Sequence, residues 1–326
     1  MKLTICICAY NAERYLTETL DSLFRQTFRD FSLWIIDDAS TDGTRTLAEH
    51  YFTEHQWENT QVTTLPQNGG LARARHYAEA HVKTEFMGFI DADDVAKPDA
   101  IKKMFSYIVD HPDCMVVSSY CEYISAESKK IPGGVFLGPT TPEKFFEMAK
   151  NQKLMFVPAF NISRVEYIRR AGCHAIDGFP SGKVRYQDMC EDLDLWTRMS
   201  DFYASGKYII VLPEILLSYR RIMTSVSANT GAMLSRIRQI KANLLRRRAG
   251  LPELSYVDYI SGLSLFQRIR YSYSDWSSGL YKRAGFHYLN RHYLRFPFCL
   301  CAGILFNPGY FIQKVKKNII PALKKH

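Results

Sequence analysis

The chain has 326 residues, 47% of them hydrophobic and 23% charged, and carries a formal net charge of +9. Such a composition supplies a sizeable core, which excludes a disordered chain and a small scaffold held by disulfides or metal. No run reaches the roughly 20 apolar residues that span a bilayer; the nearest, Phe296 to Ile312, is broken by Asn307-Pro308-Gly309, so no membrane span is expected.

Leu3 to Ala9 is a short apolar run bounded by Asn11, which predicts a buried strand. It begins at once, without the charged, apolar and cleavable segments of a secretory signal. Glu13 to Gln26 has Tyr15, Leu16, Leu20, Leu23 and Phe24 at helical spacing. Phe31 to Ile36 reads as a second strand ending in Asp37-Asp38. The turn residues Ser40 to Thr44 lead into a helix from Arg45 to about Phe52. Gln61 to Leu65 is a third strand, Asn68-Gly69-Gly70 a loop and Leu71 to His81 a helix. Glu85 to Ile90 is a fourth strand with Asp91 to Asp94 at its end, and Pro98 to Val109 is helical.

Strands that alternate with helices predict a parallel sheet covered on both faces. Ligands of such sheets bind beyond the carboxyl ends of the strands. Tyr10-Asn11, Asp37-Asp38 and Asp91 to Asp94 all fall at strand ends.

Further on, Val116 to Ser125 reads as a strand and Pro132 to Pro142 as a Gly/Pro-rich loop. Thr141 to Asn151 is helical. Leu154 to Ile162 and Ser163 to Ala171 read as a strand and a helix. Ser181 to Gln187 is polar, and Cys190 to Phe202 is a helix with an acidic first turn. Gly231 to Arg248 is an amphipathic basic helix. The cysteines of Cys6-x-Cys8 and Cys299-x-Cys301 lack the C-x-x-C spacing of zinc and redox sites and are expected to be plain thiols.

The positive charge is uneven. Residues 229–326 hold 17 Lys/Arg against 3 Asp/Glu, whereas residues 1–228 hold 25 against 30. That asymmetry points to an anionic partner for the C-terminal third, a membrane surface or nucleic acid.

Asp91 and Asp93 offer hard oxygens of the kind Mg²⁺ and Mn²⁺ take. Taken alone, the same residues serve equally as an acidic turn before a helix. Asp38 can accept from a base N–H or a ribose hydroxyl, or simply form a turn. Arg73 and Arg75, at a helix start, suit phosphate or face solvent.

Five segments occur together: ICICAYN (Ile5 to Asn11), WIIDDASTDGT (Trp34 to Thr44), NGGLARARHYA (Asn68 to Ala78), FIDADD (Phe89 to Asp94) and EDLDLWTRM (Glu191 to Met199). In order and spacing they resemble the family 2 glycosyltransferases, over about residues 3–228. The resemblance implies an α/β GT-A fold with a central, mostly parallel sheet, here followed by a C-terminal helical basic extension. It implies a catalytic domain at 1–228, with a nucleotide-binding half at 1–110 and an acceptor-binding half at 111–228, and an extension at 229–326.

The implied activity is transfer of a sugar, with inversion, from a nucleotide-diphospho-sugar, UDP favoured, to a glycan or lipid-linked glycan acceptor. Cys8, Ala9, Tyr10 and Asp38 would line the nucleoside pocket, and Arg75 would face the donor phosphates or base. Ala92 lies between Asp91, which would meet ribose or metal, and Asp93, which would bind Mn²⁺ or Mg²⁺. Asp192 would be the catalytic base, Glu191 would support the acceptor side, and Trp196 would shape its pocket. Ser181 to Gln187 is the candidate lid. Two positions depart from the family's habit. Cys8 and Ala9 stand where Thr or Ser is common, and Arg221-Ile222 follows Tyr219-Arg220 where His is common. Arg220 or Arg221 is the candidate replacement for that charge.

A nucleotidyltransferase that makes nucleotide sugars would need a Gly-rich phosphate loop, and Tyr10-Asn11-Ala12-Glu13 stands in that place. A nucleic-acid-binding protein would leave the acidic constellation unexplained, and no nucleic-acid partner is expected. The basic, aromatic tail suits an anionic membrane surface, with Phe296, Phe298, Leu300, Ile304, Leu305, Tyr310 and Phe311 entering the interface. The expected location is cytoplasmic, peripheral at the inner face of the membrane, in surface-glycan synthesis.

Overall fold

A computed structural model describes residues 1–174, 189–222, 230–289 and 295–306. The expected lid, Tyr310 and Phe311 lie outside the described residues.

The first half follows the expected alternation: β1 (Leu3–Ala9), α1 (Glu13–Phe24), β2 (Ser32–Asp37), α2 (Thr44–Glu54), β3 (Thr60–Thr64), α3 (Leu71–His81) and β4 (Phe86–Phe89). These strands are parallel, in the order β3-β2-β1-β4. β1 and β2 are almost wholly buried, as their unbroken apolar runs require of strands covered on both faces. The winding direction reverses beside β1, so the loops after β1 and β4 flank the crevice where ligands of such sheets bind.

The second half adds β5 (Val95–Ala96), α4 (Ala100–Asp110), β6 (Cys114–Ile124), β7 (Lys130–Val135), α5 (Pro142–Lys150), β8 (Asn161–Arg164), α6 (Val165–Arg170), α7 (Glu191–Met199), a 3₁₀ turn (Ser200–Ser205) and β9 (Tyr208–Arg220). The sheet continues β4-β8-β6-β9-β5 and becomes mixed. β8 runs antiparallel to β4 and β6, and β9 runs parallel to β6. β8 lies close to β4 because Gly88 has no side chain; a Cβ there would stand 2.6 Å from the Asn161 carbonyl oxygen.

Two expectations are corrected. The strand predicted for 154–162 shrinks to β8, because Pro158 has no N–H to give a ladder. The carbonyls of Pro158 and Phe160 instead accept from the Ser118 hydroxyl at 3.2 and 2.7 Å. The loop predicted for 132–142 begins as β7, which pairs with β6 alone, an edge position that tolerates Pro132.

The C-terminal third is helical: α8 (Thr230–Arg248), α9 (Tyr256–Ser261), α10 (Leu265–Leu289) and α11 (Arg295–Phe306). Two compact units result, Met1–Ser225 with Ile240–Glu253, and Val226–Gln239 with Leu254–His326. Within the first, the arginine run at the end of α8 is not a solvated basic face. Arg247 pairs with Asp201 and Glu253, and Arg248 with Asp201 at 2.8 Å. Within the second, Arg238 pairs with Asp275 and Arg236 lies 3.7 Å over the Tyr256 ring. Among the described residues, no helix is long and apolar enough to cross a membrane.

Candidate active site

The loops after β1 and β2 are tied together first. Asn11, in the left-handed region at φ 50°, accepts the Thr41 N–H at 2.8 Å and donates its own N–H to the Ser40 hydroxyl at 2.9 Å. Ala9 is buried, and its carbonyl takes the Asp38 N–H at 2.8 Å. Tyr10 projects at the end of β1, half exposed. Burial pushes the Cys8 thiol up, so it remains a neutral thiol.

Asp38 is the residue expected to line the nucleoside pocket. It is buried, and its two carboxylate oxygens accept the N–H groups of Gly69 and Gly70 at 2.9 and 2.7 Å. Gly70 can turn into α3 because it adopts φ 85°. Asp38 therefore shapes the Asn68–Gly70 loop. Asp37, which carried no assigned role, pins the same corner by accepting the Ser40 N–H at 3.1 Å.

The resemblance aimed Arg75 at the donor phosphates or base. In the fold one terminal nitrogen donates to Asp91 at 2.9 Å and the other to Glu191 at 2.8 Å. Burial works against its charge, but Asp91 and Glu191 more than offset that and hold it as a cation. The guanidinium thus joins the end of β4 to the start of α7. Burial pushes the Glu191 carboxyl up, and Arg75 opposes the shift.

Asp91, Ala92, Asp93 and Asp94 form a tight acidic turn. Thr19 donates to the carbonyls of Ala92 and Asp94 at 3.0 and 2.8 Å. Burial, and then the charge of Asp91, pushes the Asp93 carboxyl up to about 6. Asp94 is fully buried and also pushed up, and its Oδ2 has no hydrogen-bond partner among the described residues. Crowded carboxylates that raise one another, with a buried oxygen unpartnered, are a donor set that favours a hard divalent cation.

Arg220 does not supply a substrate-facing charge. It is buried, donating to the Asp93 carbonyl at 2.7 Å, the Ser125 carbonyl at 3.1 Å and the Ser128 hydroxyl at 2.8 Å, and pairing with Glu18 at 2.5 Å. Its role is to clamp the acidic turn. Arg221 lies 4.9 Å over the Tyr123 ring.

Asp192 stands in the first turn of α7, where its carboxylate accepts the Leu193 N–H at 2.6 Å. Cys190, at φ 60°, sets the entry into that helix. Beside Asp192 is a small cavity of about 10 Å³ lined also by Arg75, Asn161, His174 and the buried Trp196. Asn161 and His174 were not singled out from the sequence. Neither sits in a motif, and only the antiparallel strand β8 and the turn after α6 bring them here.

The fold thus gathers Arg75, Asp91, Glu191 and Asp192 around one guanidinium and one cavity, with Asp93 beside Asp91. Asp38, Ala9, Cys8 and Tyr10 lie along the β1–β2 side of the crevice.

Residues 4–174 match the family model for glycosyl transferase family 2. EpsE of Bacillus subtilis, which bears the name of a glycosyltransferase, is 26% identical over 219 residues, covering 67% of this chain and 73% of EpsE. TarS of Staphylococcus aureus, a poly(ribitol-phosphate) β-N-acetylglucosaminyltransferase, is 33% identical over 113 residues, 34% of this chain and 19% of that longer protein. The crystal structure of TarS 1–349 with UDP-GlcNAc superposes with a TM-score of 0.53 at 20% identity, covering 94% of this chain and 89% of that one. The mannosyltransferase PcManGT of Pyrobaculum calidifontis, in complex with GDP-Man and Mn²⁺, gives 0.51 at 17% identity, covering 94% and 87%. The likeness to the solved structures is one of fold, the GT-A fold. The family match spans just over half of the chain, from β1 to the turn after α6, and takes in Asp38, Arg75, Asp91 and Asp93: the chain belongs to glycosyl transferase family 2 and is a glycosyltransferase.

Proposed function

We propose that the enzyme moves a sugar from a UDP-sugar to a hydroxyl of a glycan or lipid-linked glycan, with inversion, in the synthesis of a bacterial surface polysaccharide. The observation that carries this reading is the Arg75 bridge. It holds Asp91, on the donor side, and Glu191, on the acceptor side, to one cation next to Asp192. TarS, a relative of the same fold, is described with UDP-GlcNAc, which supports the choice of UDP.

In the mechanism, Tyr10 offers an exposed ring at the mouth of the nucleoside pocket, and Asp38 shapes the loop beneath it. Asp93 and Asp91 would hold Mn²⁺ or Mg²⁺, and the acidic turn fits that ion. Such an ion supplies charge neutralisation on a leaving diphosphate. Asp192 takes the proton of the acceptor hydroxyl as that oxygen attacks the anomeric carbon. The electron pair of the breaking C–O bond leaves on the nucleoside diphosphate. Glu191, fixed by Arg75, orients the acceptor.

The second unit would bring the enzyme to the inner face of the cytoplasmic membrane. Leu265, Ile269, Tyr273 and Trp276 share one exposed face of α10, next to the exposed Phe266. That face and the nearby Arg268 and Arg270 suit an anionic lipid surface.

Calorimetric titration of UDP with and without Mn²⁺, on the wild type and on Asp93→Ala, tests the donor site. Metal-dependent binding that disappears in the variant is expected. Silence for UDP, GDP, CDP and dTDP alike would overturn the reading.

A further inference from the structure

α3 carries a second buried charge one turn beyond Arg75. Glu79 is fully buried, and both of its oxygens are engaged by a single residue, His174. One accepts the His174 backbone N–H at 2.6 Å, and the other lies 2.5 Å from the ring Nδ1. A carboxylate is an acceptor, so Nδ1 carries the proton. The remaining ring nitrogen, Nε2, is then a lone pair in the neutral imidazole. His174 is itself only 2% exposed, and its Nε2 is buried with no hydrogen-bond partner among the described residues. Edge-to-face contacts with Phe89 and Trp196, at 5.9 and 6.5 Å between ring centres, restrict the ring.

A buried polar nitrogen without a partner costs about 1–3 kcal/mol. Something should satisfy it. His174 lines the cavity that Asp192, Arg75 and Asn161 also line, and the cavity's volume, about 10 Å³, is at the lower bound of what admits a single water. Polar groups of four kinds line that space, and a buried water needs two to four such partners. Although the ligand-type atoms of His76, Glu79 and Cys173 lie within 4.8 Å of one another, Glu79 has both oxygens committed to His174.

We infer that Glu79 and His174 form a positioning pair for Asp192, joined to it by one buried water that receives the proton Asp192 removes from the acceptor. The inference rests on the reading of Asp192 as the base. The acceptor O–H bond breaks, and its proton goes to an Asp192 oxygen. Asp192 passes a proton to the water, the water passes one to His174 Nε2, and Asp192 returns to a carboxylate. The imidazolium that results is opposed by the Glu79 carboxylate, and once product has left, its proton passes back through the water and Asp192 to bulk solvent, which leaves Asp192 a carboxylate and the imidazole neutral. Among the described residues, the charged and titratable groups around the ring and its Glu79 partner are Glu79, Arg75 and His76 from α3, Glu191, Asp192 and Arg198 from α7, the adjacent Cys173, and Cys6 from β1, whose thiol burial keeps neutral.

The test needs no substrate. In protein labelled with ¹⁵N-histidine, the His174 signals should show the Nδ1-protonated neutral tautomer. A high-resolution crystal structure of the wild-type protein should show one water between His174 and Asp192. An Nε2-protonated tautomer or a dry cavity overturns the inference. The reading of Asp192 as the base is tested apart from this, by turnover of Asp192→Asn, and it survives either of those results.

Discussion

The Arg75 guanidinium lies 2.8 Å from the Glu191 carboxylate, although 116 residues separate the two in sequence. With Asp91 on its other nitrogen, this cation holds the two halves of the proposed site together. Removing it would leave two carboxylates facing each other in a largely buried space. Breaking a buried ion pair from one side costs about 3–5 kcal/mol. Arg75→Ala is expected to lose about that much in urea denaturation and to lower turnover at least about 100-fold. Arg75→Lys keeps the charge but not the two-pronged geometry, and is expected to recover most of the stability and little of the activity. Full activity in Arg75→Ala would show that the bridge is structural only.

Asp93 makes stability depend on pH. Its carboxyl rises from 3.8 to about 6 on folding, through burial and the charge of Asp91. A raised carboxyl contributes stability that is complete below pH 3.8 and lost as pH rises through about 6. Above pH 6 the ionised group is a burden of up to about 3 kcal/mol. Asp93→Asn is therefore expected to raise the melting temperature of the metal-free protein at pH 7.5. Mn²⁺ is expected to raise the wild-type melting temperature and to leave the variant unmoved. Equal response of both proteins to Mn²⁺ would place the ion elsewhere.

Much of the site was legible because its residues sit at strand ends that the sequence marks by an apolar run followed by a polar cluster. β1, β2 and β4 all have this form, and α3 follows a Gly-Gly turn. The direction of each side chain was not legible. Asp38 binds loop N–H groups and Arg75 two carboxylates, contacts that no motif announces. Those partners lie 31 or 32 residues away for Asp38 and 116 for Glu191, distances at which periodicity is silent. β7 was hidden by Pro132 and its glycines. Glu79 was hidden by its helix, although its spacing of four from Arg75 puts both on the face that α3 buries.

Arg220 offers a different kind of test. It donates to three backbone carbonyls, to Ser128 and to Glu18 from a buried position, so its loss leaves acceptors unsatisfied. Arg220→Met is expected to cost about 3 kcal/mol. The Asp93 carbonyl would then be unheld, and the effect of Mn²⁺ on the melting temperature should shrink with it. An unchanged denaturation midpoint would contradict the clamp.

The membrane reading turns on α10. Replacing Leu265 and Ile269 by Glu puts charge on its exposed apolar face without touching the first unit's core. Co-sedimentation with vesicles containing anionic lipid should fall about tenfold or more, while UDP binding stays as in the wild type. Vesicle binding that survives would remove α10 from the contact.

The central claim is that Asp192 removes the acceptor proton. Release of UDP from UDP-GlcNAc and a panel of other UDP-sugars, with Mn²⁺, compares the wild type with Asp192→Asn most directly. The account predicts turnover of at least one donor by the wild type, a fall of about 10²–10⁴-fold in the variant, and UDP affinity unchanged between them. Turnover by Asp192→Asn at the wild-type rate would contradict it.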